Sequence, residues 1–413
     1  MTASPYVSRR SRLHPASQMG PVIGRLDIEL TERCNNDCVH CCINRPAEDA
    51  DARSREMSTA RIIDLLQQVT DLGCLSVRFT GGEPLLRSDF PEIYIGARRL
   101  GLKVILFTNA TLVSQSLAKL LAEIPPLAPV EISVYGMRPD SYDAVTRRPG
   151  SFRKFRQGMN RLVEKGIPLV VKSVLLPQLV SEREEFETWA RTLPREDRAP
   201  GYATTLDLRG RRDDDSKNVQ ISALRLPAPA VIEHLTRDAE SYRNGMAQFA
   251  ERFMTQPDDR LFRCGASHGI SVDAYGRAQP CIGVRDPEYT IGLSPAAKRP
   301  AGSSAAGDGK EDRDRSQMSL AAAAESFREL RKLRATNPLY ISRCARCFLK
   351  DLCEQCPAKS WAESGTLDTP VPYLCEIAHA QARYLGWLNE GETGWEVGSW
   401  ETRSAAGDGR LRV

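Results

Sequence analysis

The chain has 413 residues, 41% of them hydrophobic, and its 57 Lys and Arg stand against 53 Asp and Glu for a net charge of +4. That length predicts two domains plus tails, and so slight a charge excess excludes a nucleic-acid-binding surface as the organising feature. No window approaches the roughly 18 consecutive apolar residues of a membrane span, and the N-terminus lacks the apolar core of a secretory signal. A cytoplasmic protein is therefore expected, one whose 12 cysteines read as metal ligands sooner than as disulfides.

In chain order, residues 1–22 are expected to be a flexible N-terminus, and Arg25–Thr31 alternates apolar and polar residues as a half-buried strand does. Directly after it stands Cys34-Asn-Asn-Asp-Cys38-Val-His-Cys41. Ser58 then caps a predicted helix with Ile62, Leu65, Leu66 and Val69 at helical spacing, which Gly73 stops. Strands are expected at Leu75–Phe79, Val104–Phe107, Val130–Val134, Leu169–Leu175 and Tyr202–Leu208, with helices near 88–100, 113–123, 151–165 and 181–192. This alternation predicts parallel strands with right-handed crossovers, as a partial (β/α)6 barrel with an open sheet as the other arrangement. Loops at the C-terminal strand ends would carry function. The cysteine loop, Gly81-Gly82-Glu83-Pro84, Thr108-Asn109 and Tyr135-Gly136 all sit at such ends.

This α/β domain is expected over 23–226, a helical linker over 227–260, a cysteine-rich domain over 261–385 and a tail over 386–413. Within the third region, 294–318 is rich in Ala, Gly, Ser and charge and is expected to be a disordered insertion. Its cysteines fall as Cys264, Cys281, Cys344-x2-Cys347-x5-Cys353-x2-Cys356 and Cys375. Cys74 is expected in core packing and Cys42 as a bystander.

Three thiols in one short loop fit either an iron–sulfur cluster with one iron left open or a zinc site completed by a later ligand. Cys-x2-Cys pairs by themselves suit zinc ribbons. Taken with Gly81-Gly82-Glu83-Pro84 about forty residues on, the Cys-x3-Cys-x2-Cys spacing resembles the radical S-adenosylmethionine (radical SAM) superfamily over residues 25–210. His40 stands where that family usually has an aromatic residue, and Ala110 where it has Gly after Thr108-Asn109. The later cysteines, with Thr146-Arg-Arg-Pro-Gly-Ser-Phe152, resemble the SPASM subfamily of peptide and protein maturases, although the last pair is spaced by two residues where three is usual.

The resemblance implies a fold, cofactors and partners. Cys34, Cys38 and Cys41 would hold a [4Fe–4S] cluster whose open iron binds S-adenosylmethionine, and reductive cleavage would release a 5′-deoxyadenosyl radical that takes a substrate hydrogen. Gly81, Gly82 and Glu83 would meet the methionine moiety, Asn109 and Ser133 would contact the same cofactor, and Lys172 is a further candidate for its carboxylate. Cys344, Cys347, Cys353 and Cys375 would hold one auxiliary [4Fe–4S] cluster. Cys264, Cys281 and Cys356 would hold a second, with its fourth position left to a substrate thiolate, water or another side chain. Ile282 stands where sulfatase-maturing members carry an aspartate base. The implied substrate is a peptide or protein, the electron donor a flavodoxin or ferredoxin, and a separate protein would recognise the leader. Other readings are an oxidoreductase of the same chemistry acting on a small molecule, or a non-catalytic iron–sulfur or zinc-ribbon protein.

Overall fold

In strand β1 (Arg25–Thr31), Leu26, Ile28 and Leu30 are fully buried on one face while Asp27, Glu29 and Thr31 line the other. A computed structural model of the chain describes residues 23–194, 200–264, 269–294 and 317–397. After β1 come the two-residue strands β2 (Arg33–Cys34) and β3 (Arg45–Pro46), paired parallel with each other. The chain continues through α1 (Ala50–Arg55), α2 (Thr59–Asp71), β4 (Ser76–Gly81), α3 (Phe90–Arg99), β5 (Lys103–Thr108), α4 (Gln115–Glu123) and β6 (Val130–Val134). Then follow α5 (Pro139–Thr146), α6 (Ser151–Glu164), β7 (Leu169–Val174), α7 (Arg183–Ala190) and β8 (Gly201–Ala203).

Beyond β8 lie α8 (Asp215–Ala223), α9 (Ala228–Leu235) and α10 (Ala239–Phe253), then β9 (Gly269–Val272), β10 (Arg277–Gln279) and β11 (Ile291–Gly292). The last described helices are α11 (Leu320–Arg328), α12 (Pro338–Ser342), α13 (Pro357–Ser364) and α14 (Pro372–Tyr384). One sheet runs β11-β10-β9-β1-β4-β5-β6-β7-β8, and from β1 through β8 each strand is parallel to the next in chain order. An α/β fold with a parallel-rich sheet is thus observed. The helical caps follow the sequence, with Ser58 accepting from the Arg61 amide and Ser114 from the Leu117 amide.

Two expectations change. The strand read at Tyr202–Leu208 is only Gly201–Ala203, because the Leu206 carbonyl accepts the Arg225 guanidinium (2.8 and 3.1 Å) instead of a sheet partner. The segment read with the cysteine-rich domain, by contrast, contributes β9, which pairs parallel with β1 from Arg25↔Gly269 to Ile28↔Val272 and covers that edge. Antiparallel β10 follows a tight turn in which Asp273 accepts from the Tyr275 and Arg277 amides, both at 3.0 Å.

The described residues fall into two compact units. One is drawn from Met1–Val174, Gln178–Ala203 and Gly265–Glu329, the other from Leu175–Pro177, Thr204–Cys264 and Leu330–Val413. In the second unit, α10 and α14 contribute Ala250 and Ala382 to a core with Phe348, Leu349, Leu352, Trp387 and Leu388. The charged run Arg209–Asp215 is structural there. Arg209, 6% exposed, binds Asp213 at 2.7 and 3.0 Å, Asp214 caps α8, and Arg212 donates to the carbonyls of Trp361 and Ala362.

Of the expected insertion, residues 295–316 lie outside the described residues, as do 1–22 and the end of the tail from 398. The insertion's flanks are joined: the Met318 amide donates to Gly292 and the Ser294 amide to Met318 (2.9 and 3.0 Å). No helix among the described residues is long and apolar enough to cross a membrane.

Candidate functional site

The exit of β1 is held by buried charge. The Arg33 guanidinium forks onto Glu56 at 2.8 and 3.1 Å and donates to the Ala47 carbonyl at 2.9 Å, while Thr31 also bonds Glu56. This fixes β2 and with it Cys34. The rest of the cysteine loop docks on the end of α5, where the Asp37 amide donates to Thr146 and the Val39 amide to Val145, both at 2.9 Å. Arg147, in the left-handed conformation (φ 50°) that ends α5, donates back to the Asp37 carbonyl at 2.8 Å. Asp143 accepts from the Gly150 and Phe152 amides and so starts α6. The run Thr146–Phe152 is therefore the turn on which the cysteine loop rests.

Cys34 and Cys38 are buried and Cys41 is half-buried. The Cys34 sulfur accepts from the Asn36 amide at 3.4 Å and from Asn109 Nδ2 at 3.9 Å. Asn109 Nδ2 also donates to Asn35 Oδ1 (3.1 Å), and Thr111 ties both asparagines together. Burial, and next the Glu83 charge, push the Cys34 thiol up to about 12. The neighbouring cation that would restore a thiolate is what a bound metal cluster provides.

Glu83 is 1% exposed, and both its oxygens are engaged. Oε1 accepts from Thr108 Oγ1 (2.8 Å) and the Leu85 amide (3.1 Å), and Oε2 from the Asn109 amide (2.8 Å). Burial raises its carboxyl to about 7 against those three bonds. The glycines before it are required by the chain's own backbone: a Cβ at Gly81 (φ 121°) would stand 2.1 Å from the Thr31 carbonyl oxygen, and one at Gly82 2.3 Å from that of Arg33. The lack of a Cβ at both positions thus lets this turn pack closely on the end of β1 and on β2.

Loops after β1, β4 and β5 thereby meet around Cys34, and the loop after β6 joins them where the His40 and Tyr135 rings lie 5.3 Å apart. Ser133 hydrogen-bonds the Tyr135 side chain. Lys172 lies away from these contacts, paired with Glu131 and 5.0 Å over the Phe107 ring. Cys74 is buried, its thiol donating to the Ser76 carbonyl at 3.1 Å. Neither Arg33–Glu56 nor Asp143 was legible as a site residue, since nothing in local spacing links positions 23 apart or marks one aspartate as a cap.

In the second unit, Cys344, Cys347, Cys353 and Cys375 all line one cavity of about 620 Å³. Burial and then their mutual proximity push Cys344 up to about 11 and Cys347, chiefly through burial, to about 12, and lift Cys353 further. Gly394 closes this cradle: a Cβ there would stand 2.6 Å from Cys347 Sγ. His379 joins it, accepting from the Gly394 amide at Nε2 (3.0 Å), with Nδ1 2.8 Å from the Cys375 carbonyl. Among the described residues no three acidic, His or Cys side chains are gathered tightly enough to chelate a single metal ion. Cys264 and Cys356 belong to this unit and Cys281 to the other, so neither unit by itself assembles that set.

Residues 28–190 match the family model described as "Radical SAM superfamily". The chain is 32% identical over 153 residues to an Fe-coproporphyrin III synthase from Methanosarcina barkeri, and 35% identical over 148 residues to a PqqA peptide cyclase from Xanthomonas axonopodis pv. citri. These matches cover 37% and 36% of this chain and only 37% and 39% of the two relatives. In fold it is similar to Streptococcus suis SuiB bound to the precursor peptide SuiA, with a TM-score of 0.57 at 17% identity over 91% of this chain and 82% of that one.

Proposed function

We propose that the chain is a radical SAM/SPASM enzyme of oxidoreductase type that modifies a peptide or protein side chain, a reading that the radical SAM match over residues 28–190 supports. The observation that carries this is that Cys34, in the loop that also bears Cys38 and Cys41, meets Glu83 and Asn109 at the C-terminal ends of adjacent parallel strands. When bound, a [4Fe–4S] cluster with an open iron supplies the electron that cleaves S-adenosylmethionine and yields the hydrogen-abstracting radical.

The chain's own residues give that chemistry its setting. Arg33–Glu56 and the α5 docking fix the three thiols, and Asn109 and the Asn36 amide donate to Cys34. Glu83, poised near neutrality by burial, is held ionised once a cationic ammonium lies nearby. Gly81, Gly82 and Ser133 complete the assigned cofactor contacts. Six parallel strands in chain order support a partial (β/α)6 barrel.

Cys344, Cys347, Cys353 and Cys375 are assigned to one auxiliary [4Fe–4S] cluster, which the 620 Å³ cavity and the Gly394 cradle support. Cys264, Cys281 and Cys356 are assigned to the other. The PqqA peptide cyclase similarity and the SuiB fold with its precursor peptide support a peptide as substrate, served by a flavodoxin- or ferredoxin-like donor and a leader-recognition protein in the cytoplasm. Similarity to an Fe-coproporphyrin III synthase favours the second reading, a small-molecule substrate.

Anaerobic reconstitution tests the proposal. About twelve irons per chain, for three clusters, and dithionite-dependent release of 5′-deoxyadenosine are expected. Bound zinc without cleavage of S-adenosylmethionine would refute it.

A further inference from the structure

Tyr142 is completely buried in α5, its ring 5.7 Å from that of Tyr135 and stacked at 5.0 Å on Phe155. Its hydroxyl has no hydrogen-bond partner among the described residues. Burying an O–H unpaired is destabilising, so phenylalanine would serve better here if packing were the only role. The helix that carries it is the one on which the cysteine loop rests. One turn after Tyr142, the Val145 and Thr146 carbonyls accept the amides of Val39 and Asp37, which flank Cys38. Among the charges acting on the hydroxyl, that of Cys38 is foremost. Asn36, between Cys34 and Cys38 and 2% exposed, likewise has both side-chain amide atoms without a partner. Two donors beside this loop, the Tyr142 hydroxyl and Asn36 Nδ2, are thus buried without an acceptor among the described residues.

We propose that the Tyr142 hydroxyl donates a hydrogen bond to a sulfur of the cluster held by Cys34, Cys38 and Cys41, and thereby raises that cluster's reduction potential. This rests on the radical SAM reading above. Reduction places added negative charge on the sulfurs, so a fixed donor stabilises the reduced state more than the oxidised one. The surrounding rings exclude water that could substitute for it.

The test is an EPR-monitored redox titration of the reconstituted full chain, following the signal that changes on adding S-adenosylmethionine. Tyr142→Phe should retain the wild-type iron content and shift that midpoint to a more negative potential. Phe155→Leu disturbs the same ring stack but keeps the hydroxyl, and should leave the midpoint in place. Tyr142→p-aminophenylalanine restores a donor and should return the midpoint toward that of the wild type. An unchanged midpoint in Tyr142→Phe, or an equal shift in Phe155→Leu, overturns the proposal. If Tyr142→Phe takes up no iron, the p-amino variant decides: loading supports the donor role, and failure to load overturns it. A wild-type protein with no iron signal responsive to S-adenosylmethionine would refute the underlying family chemistry instead.

Discussion

Arg33 and Glu56, 7% and 6% exposed in their side chains, form a forked ion pair at 2.8 and 3.1 Å that anchors the strand leading into Cys34. Removing Arg33 leaves the buried Glu56 carboxylate with Thr31 and, at 3.8 Å, Arg87, at a cost of about 1–3 kcal/mol. Arg33→Met should lower the denaturant midpoint of the metal-free protein accordingly, and Arg33→Met with Glu56→Met should recover part of that loss. A single variant as stable as the wild type would show that the pair does not hold the loop.

Ala110 adopts a left-handed conformation, φ 59°, directly after Asn109. For a residue with a Cβ this strain is worth about 1 kcal/mol. Ala110→Gly should therefore raise the thermal midpoint. Its carbonyl oxygen packs on Gly158 of α6, where an added Cβ would stand at 1.9 Å, so Gly158→Ala should lower it. Thermal unfolding of both variants checks the pair of signs.

At Gly394 the obstacle to a side chain is Cys347 Sγ itself. Gly394→Ala should cost the protein about four irons, one cluster's worth, while 5′-deoxyadenosine formation at the first site continues. Full iron content in this variant would separate Gly394 from the four-thiol cavity.

Burial raises Glu83 from its ordinary 4.5 to about 7. The folded protein therefore binds this proton more tightly than the unfolded chain, and stability falls as pH rises through that window, by about 3 kcal/mol for a shift of this size. The contribution is fully present below pH 4.5 and lost above 7. Denaturant titrations of the metal-free protein between pH 5 and 8 should show this decline, and Glu83→Gln should flatten it. An equal slope in the two proteins would place the titration elsewhere.

What could be read from the sequence is what local spacing encodes. The six parallel strands and their caps, and the position of the cysteine loop, Gly81-Gly82-Glu83 and Thr108-Asn109 at strand ends, all follow from periodicity and short motifs. Pairings between distant segments were not legible. The run Gly269–Val272 is too short to announce a strand, and its partner β1 lies more than two hundred residues away. Likewise, the sequence does not show that glycines 81 and 82 must also admit the Thr31 and Arg33 carbonyls. The structural role of the Asp213–Asp215 run is likewise not legible, because charge in sequence does not show that Arg209 is buried beside it.

The assignment of Cys34, Cys38 and Cys41 to a reactive cluster is tested most directly by replacing all three with alanine and counting iron alongside 5′-deoxyadenosine under dithionite. The account predicts a fall from about twelve to about eight irons, with cleavage of S-adenosylmethionine abolished. Cleavage that persists in this variant would contradict it.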